Sequence, residues 1–270
     1  MPTATVNGTE IAYTDTGTDT GGDGLAVVLS HGFLMDHSMF DPQVTALAPE
    51  FRVITWDQRG FGATQAAGPF TYWDSARDVL GLLDHLGLHR AVLGGMSQGG
   101  FLSMRAALLA PERVAALVLI DTQAGLEDPA ATASYEQLDA IWLEQGPASV
   151  QDLVASIILG PGQWDDWFAK WAAWDRSGLS IAFRCLMDRD DITGRLAEIT
   201  CPALVVHGTA DAAIPLALAQ ALRAGLGGDA ALVPVDGAGH ASSLTHARLV
   251  NPALLGFLRA LRNNPGFTAG

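Results

Sequence analysis

A doubly wound α/β sheet with one inserted helical segment is predicted by three features of the chain. Continuous apolar runs of strand length alternate with longer helical patterns, and each run ends in glycine or a polar turn. The alternation breaks once, between Gln123 and Arg195, where no strand-like run occurs. A gap of that length exceeds an ordinary connection between strands, so it must carry structure of its own.

In chain order, EIAYTDTG (Glu10 to Gly17) alternates apolar and polar residues at period two, as an early strand buried on one face does. LAVVLSHG (25–32), FRVITWD (51–57), RAVLGG (90–95), AALVLIDT (115–122), PALVVHG (202–208) and AALVPVDG (230–237) are continuous apolar runs. Strands of a parallel sheet covered on both faces have that pattern. Helical patterns lie between them at Phe40–Leu47, Tyr72–Leu86, Gln98–Leu109, Pro215–Leu226 and His246–Leu261. The expected division is a core of residues 1–122 and 196–270, with a helical lid over 123–195. The lid holds five of the seven tryptophans: Trp142, Trp164, Trp167, Trp171 and Trp174. The closing NNPGFTAG is expected to fray.

Composition narrows the function classes. The chain is long enough to bury a substantial core. It opens with no basic and apolar leader, and no apolar run approaches the roughly 18 residues of a membrane span. A soluble, cytoplasmic protein is expected. The formal charge of −14 includes a single lysine, Lys170, against 14 arginines, with no basic stripe. Such a surface repels phosphate backbones and anionic lipid, which disfavours nucleic acid and membrane partners. Cys185 and Cys201 are read as structural thiols, and no Cys/His cluster has metal-ligand spacing. No metal or organic cofactor is expected. The partner is a small-molecule substrate, and the charge is compatible with a monomer or a homodimer.

The chemistry centres on Gly95-Met96-Ser97-Gln98-Gly99, which stands between a strand pattern and a helix pattern. This is the nucleophile-elbow spacing: small residues two before and two after the serine allow a turn tight enough to expose one hydroxyl. The Gln98 N–H, at the start of the following helix, then points to where a carbonyl oxygen would react. A serine needs a base. His240, in the glycine-rich loop PVDGAGHASS after the last strand, is best placed among the seven histidines. His85 and His89 lie on or just after a helix, His207 ends a strand, and His246 follows a helix start. The imidazole needs a carboxylate on its other nitrogen. Asp211, just past the next-to-last strand, is chosen, with Asp121 as the rival; Asp57 and Asp236 also end strands but suit loop bracing. A second oxyanion donor is expected from the backbone N–H of Phe33 in SHGFLMD, with the His31 side chain holding that loop.

SHGFLMD, WDQRGFGAT, GGMSQGG, CPALVVHGTAD and DGAGH follow one another over nearly the whole chain, and in this order they resemble the α/β-hydrolase family. The resemblance implies a mostly parallel eight-stranded sheet flanked by helices, an inserted helical lid, and the order Ser97, Asp211, His240. Within the family the chain is similar to the esterase/lactonase branch with 3-oxoadipate enol-lactonases, and to cofactor-free haloperoxidase/perhydrolases. It also implies that Asp57 and Arg59 brace loops. Members acting as haloalkane dehalogenases or epoxide hydrolases carry aspartate where this chain has Ser97, which disfavours those activities.

Trp164, Trp167, Phe168, Trp171 and Trp174 recur at three- and four-residue steps and would form one aromatic helix face. That face is expected to fix the lid to the core. Part of it, with Trp142, Phe33, Met35 and Met96, is expected to line the substrate pocket. Arg176, Arg184 and Arg189 leave room for a carboxylate-bearing substrate. The expected activity is hydrolysis of a carboxylic ester or lactone, with an apolar or aromatic part, through an acyl-enzyme. The alternatives are a perhydrolase using peroxide at the same serine, a C–C bond hydrolase, and a ligand-binding protein without turnover.

Overall fold

In the computed structural model, which describes residues 1–17, 25–126 and 129–264, eight strands form a single sheet. They are β1 (Thr3–Val6), β2 (Thr9–Asp15), β3 (Ala26–Ser30), β4 (Arg52–Trp56), β5 (Ala91–Met96), β6 (Val114–Ile120), β7 (Ala203–Gly208) and β8 (Ala230–Val235). The spatial order is β1-β2-β4-β3-β5-β6-β7-β8. The β1–β2 and β2–β4 pairs are antiparallel, and every other pair is parallel. All residues of β3, β5 and β6 are buried, which is why their sequences read as unbroken apolar runs.

The first strand, β1, lies outside the expected set. It pairs with β2 through a two-residue turn at Asn7 and Gly8, both at positive φ (47° and 75°). Asn-Gly is the dipeptide best suited to that hairpin turn, so the signal was present in the chain.

The helices are α1 (Asp41–Leu47), α2 (Tyr72–His85), α3 (Gln98–Leu109), α4 (Pro129–Gln145), α5 (Gln151–Ile158), α6 (Asp165–Ala173), α7 (Arg176–Met187), α8 (Leu216–Gly225), α9 (Ser242–Thr245) and α10 (Ala247–Arg262). Thr71 and Asp74 close a reciprocal capping box that starts α2 where its pattern begins. The short α9 precedes α10, so the chain turns once more after His240 than the sequence pattern indicates. The tail expected to fray lies, from 265 onward, outside the described residues. Among the described residues no helix is long and apolar enough to cross a membrane.

Helices α4 to α7 occupy the gap between β6 and β7. They attach to the core through specific contacts. Trp171 Nε1 donates to the Leu34 carbonyl at 2.7 Å, and Lys170 Nζ lies 2.9 and 3.0 Å from the two Asp36 carboxylate oxygens. Phe183 of α7 packs edge-on to Phe33, with ring centroids 4.6 Å apart. The expected five-member aromatic face is shorter than its sequence spacing: Trp164 and Trp174 are the two caps of α6, and extended backbone at Trp174 ends the helix. The Asp175 carboxylate then accepts from the Ser177 and Gly178 N–H groups and starts α7 in a new direction.

Candidate active site

Ser97 joins β5 to α3 at φ 51° and ψ −115°, a region in which a residue with a side chain is strained by about 1–3 kcal/mol. Neighbouring groups hold it there. Its N–H donates to Ile120 O at 2.9 Å, and its carbonyl accepts from Thr122 Oγ1 at 2.8 Å. A Cβ on Gly95 would fall on the Gly99 carbonyl, and one on Gly99 would fall on the Ser30 carbonyl at the end of β3. The two glycines therefore let the chain pass over itself and over the neighbouring strand. Gln98 is the first residue of α3, so its N–H has no acceptor within the helix and lies at the positive end of the helix dipole.

Asp211 follows β7, and His240 follows β8, both at the sheet edge where β5 delivers Ser97. Asp211 Oδ1 accepts from the Ala213 and Ile214 N–H groups, each at 2.9 Å. Asp211 Oδ2 lies 2.8 Å from His240 Nδ1. An ionised carboxylate only accepts, so Nδ1 carries the hydrogen and Nε2 keeps a lone pair. His240 and Ser97 open into the same cavity. His207 Nε2 donates to Ile214 O at 2.7 Å; burial keeps its pKa below the ordinary histidine value, so this ring is neutral and supports the Asp211 turn. His85 and His89 are exposed, and His246 Nδ1 bonds Thr245 Oγ1.

The rival carboxylate has a different task. Asp121 Oδ1 accepts from Gly208 N at 2.8 Å, and Oδ2 accepts from Ser242 N at 2.9 Å and Ser242 Oγ at 2.6 Å. It links the end of β7 to the start of α9, which frame the Asp211 and His240 loops. Burial pushes its carboxyl up to about 7, against the opposing pull of His240 and these donors. Asp121, His207 and Asp211 offer ligand atoms within 4.8 Å of one another. Their donor set does not suit a cation: both carboxylates already accept N–H and O–H groups, and His207 Nε2 donates to a carbonyl.

Phe33 lies in a loop that leaves β3 at Ser30. His31 Nδ1 donates to Gly32 O at 2.8 Å, and its Nε2 accepts from Gln58 N at 2.9 Å, so the ring is neutral and braces the loop. At the far end, the Asp57 carboxylate receives the His37 N–H at 2.8 Å and His37 Nδ1 at 2.7 Å. Burial disfavours charge on His37, but the Asp57 and Asp36 carboxylates outweigh it and hold its pKa above the ordinary value. Burial likewise acts against the Asp57 charge, and its bonds from His37 and from the Ala63 N–H hold it lower than usual. Arg59 pairs with Asp78 at 2.6 Å. The His37–Asp57 pair had no signature in the sequence beyond the position of Asp57 at a strand end.

The cavity at Ser97 has a volume of about 70 Å³. Tyr135 and Leu138 of α4, Val154, Ile157 and Ile158 of α5, and Leu186 of α7 form its outer wall, and Phe33, Leu34, Phe101 and Ile214 its floor. Of the pocket residues expected from sequence, Met35, Met96, Trp142, Trp164, Trp167 and Trp171 are not among these walls. Trp142 of α4 and Trp171 of α6 pack edge-on against each other, 5.9 Å between ring centroids, and both are buried. Trp167 stacks under the Lys170 ammonium, and Trp164 Nε1 donates to Gly160 O at 3.0 Å. Met35 and Met96 are buried in the core, Met96 with its sulfur against the bare Cα of Gly32. The tryptophans are consumed in fixing the helices, and shorter aliphatic side chains border the open space.

The arginines are elsewhere too. Arg189 donates to Leu186 O and Gly125 O, each at 3.1 Å; with Arg184 it lines a separate groove beside Trp73. Arg176 lies over Gly146. Among the described residues, the walls of the Ser97 cavity include no arginine, lysine or acidic side chain.

Comparison with known proteins agrees with this fold. The family model for the alpha/beta hydrolase fold matches residues 26–162, and a model described as TAP-like protein matches residues 185–265. A putative carbamate hydrolase, RutD, of Variovorax paradoxus is 34% identical over 92% of this chain and 96% of its own length. Two solved structures superpose with a TM-score of 0.86: a thermophilic esterase from Thermogutta terrifontis, 30% identical over 96% of this chain and 98% of that one, and the enol-lactonase from Burkholderia xenovorans LB400, 29% identical over 96% and 100%. With its eight-stranded, mostly parallel sheet, its serine at the β5–α3 turn and these relatives, the chain belongs to the α/β-hydrolase family.

Proposed function

We propose that this hydrolase cleaves uncharged carboxylic esters or lactones through a Ser97–His240–Asp211 triad. The observation that carries the reading is the 2.8 Å contact of His240 Nδ1 with Asp211 Oδ2, in a histidine that shares one apolar cavity with Ser97. Asp211 fixes the tautomer and supports the imidazolium that forms during reaction. As Ser97 Oγ attacks the carbonyl carbon, His240 Nε2 takes the hydroxyl proton. The N–H groups of Phe33 and Gln98 hold the resulting oxyanion; losing one such donor typically costs about a hundredfold to a thousandfold in turnover. His240 then protonates the departing alkoxide, the acyl–Ser97 ester remains, and a water deprotonated by His240 releases the acid and restores the serine.

Helices α4 to α7 serve as the lid in this reading, because α4, α5 and α7 supply the outer wall over Ser97. A substrate carboxylate in that wall would lose its hydration without gaining a cationic partner, which favours neutral aliphatic acyl groups. The names of the relatives are consistent with attack at an acyl carbonyl: carbamate hydrolase, esterase and enol-lactonase. The test is a fluorophosphonate probe followed by peptide mass mapping, alongside hydrolysis of short-chain aryl esters. Covalent labelling at Ser97, with turnover abolished by Ser97→Ala, is expected. A folded sample that neither labels at Ser97 nor hydrolyses the esters overturns the reading.

A further inference from the structure

We propose that Trp171 and Lys170 of the lid helix α6 are positioning residues for the oxyanion donor Phe33, so that the lid sets transition-state binding as well as covering the site. The inference rests on the proposed hydrolase reading and on Phe33 as a donor within it.

The Phe33 loop is held from two sides. Its ends are tied to the core, at His31 through Gln58 and at His37 through Asp57. Its middle is tied to α6. Met35 N donates to Gly32 O at 3.1 Å, which closes a turn whose central residues are Phe33 and Leu34. Leu34 sits at φ 58°, a turn position that ordinarily takes glycine. A leucine there is strained and stays only if its surroundings enforce it. The enforcing group on its carbonyl is Trp171, whose Nε1–H reaches Leu34 O at 2.7 Å in a fully buried setting. Two residues on, the buried Asp36 carboxylate accepts from Ser38 N at 2.9 Å and meets Lys170 Nζ, which also contacts Ser38 Oγ. Lys170 is the single lysine of the chain and lies over the Trp167 ring, so both anchors project from one turn of α6.

Removing the indole N–H leaves Leu34 O buried without its donor and frees a strained turn to relax. The Phe33 N–H one residue earlier moves with that turn. The defect should appear where charge develops on the carbonyl oxygen, and little in ground-state binding.

The experiment compares wild type, Trp171→Phe, Lys170→Met and Lys170→Arg on a neutral 4-nitrophenyl ester and on its thionoester, whose sulfur is a weak acceptor that draws little from an oxyanion hole. Trp171→Phe and Lys170→Met should each lower kcat about tenfold or more, short of the roughly hundredfold to thousandfold loss of removing a donor outright because the N–H is displaced and not deleted, with KM changed far less. The ester-to-thionoester rate ratio should fall by a similar factor, a change that general loosening of the fold would not produce. Lys170→Arg, which keeps a cation for Asp36, should restore most of the rate lost in Lys170→Met. If Trp171→Phe does not fold, the two Lys170 variants carry the test, since that side chain is partly solvent-exposed. An active wild type with the rate ratio unchanged in the folded variants overturns the positioning role. An inactive wild type that Ser97 probes fail to label overturns the hydrolase reading instead.

Discussion

His240 Nδ1 and Asp211 Oδ2 lie 2.8 Å apart although 29 residues separate them, because β7 and β8 are adjacent parallel strands that end at the same edge. Asp211→Asn keeps the shape of this contact but can present an N–H to Nδ1, which stabilises the wrong tautomer. Turnover should fall by roughly ten-thousandfold, as in the serine-protease template, with the fold intact. Steady-state kinetics on purified, folded protein checks this.

Asp121 predicts the opposite balance. Asp121→Asn replaces an acceptor of three N–H and O–H groups by an amide that can oppose them, so it should lower stability by about 1–3 kcal/mol and reduce turnover far less than Asp211→Asn. Thermal unfolding and kinetics on the same preparations decide. If Asp121→Asn abolishes turnover and Asp211→Asn does not, the acid has been assigned to the wrong residue.

The stability of the Phe33 loop should depend on pH through His37 and Asp57. His37 is raised in the folded state, so its contribution is fully present below about pH 6.5 and is lost as pH rises through the folded value. Asp57 is lowered, so its contribution is present above about pH 4 and is lost as pH falls through its depressed value. The Tm difference between wild type and His37→Gln should therefore be largest between about pH 4 and 6.5 and shrink above that window. Asp121 acts in the other direction: raised to about 7, it withdraws stability as pH climbs from about 4 to 7. A Tm difference that grows above pH 7 for His37→Gln would contradict the pairing with Asp57.

The apolar wall predicts a charge preference. Esters matched in chain length but differing by a terminal carboxylate should differ in kcat/KM by roughly a hundredfold in favour of the neutral partner, since burying an unpaired ion costs several kcal/mol even after relaxation. A graded panel of aryl esters and lactones measures it. Equal rates would show that a cation reaches the cavity.

Gly99 allows no side chain. In Gly99→Ala the new Cβ would meet the Ser30 carbonyl of β3, a backbone atom that cannot rotate away. The variant should lose about 3 kcal/mol or more, at or beyond the upper end of ordinary overpacking. Denaturant unfolding tests the loss, and a variant of wild-type stability would mean that β3 shifts freely.

How legible each feature was followed from the range of the interaction behind it. The bounds of α3 matched the pattern at Gln98–Leu109 because strand, tight turn and helix are all local there. The hairpin at Asn7-Gly8 was also local, and its dipeptide was readable. The aromatic residues of α6 were readable as a face, but spacing says only that Trp167 and Trp171 point the same way. It does not say whether open space or a packed layer lies opposite. The α5 residues Val154, Ile157 and Ile158 recur at helical spacing as well, and they border the cavity.

The amino-acid sequence by itself determined the alternation of strands and helices, the turn that exposes Ser97, and the order in which a serine, a carboxylate and a histidine reach one sheet edge. Those depend on short-range sterics and on the handed, parallel connection of neighbouring strands. Only the tertiary structure decided which carboxylate faces His240, that Asp121 instead ties two loops together, and that aliphatic side chains rather than tryptophans surround the reacting space. The first two outcomes depend on how the loops after β6, β7 and β8 meet, and the last on where four inserted helices settle against the core. That placement is fixed by contacts between residues far apart in the chain, such as Trp171 with Leu34 and Lys170 with Asp36.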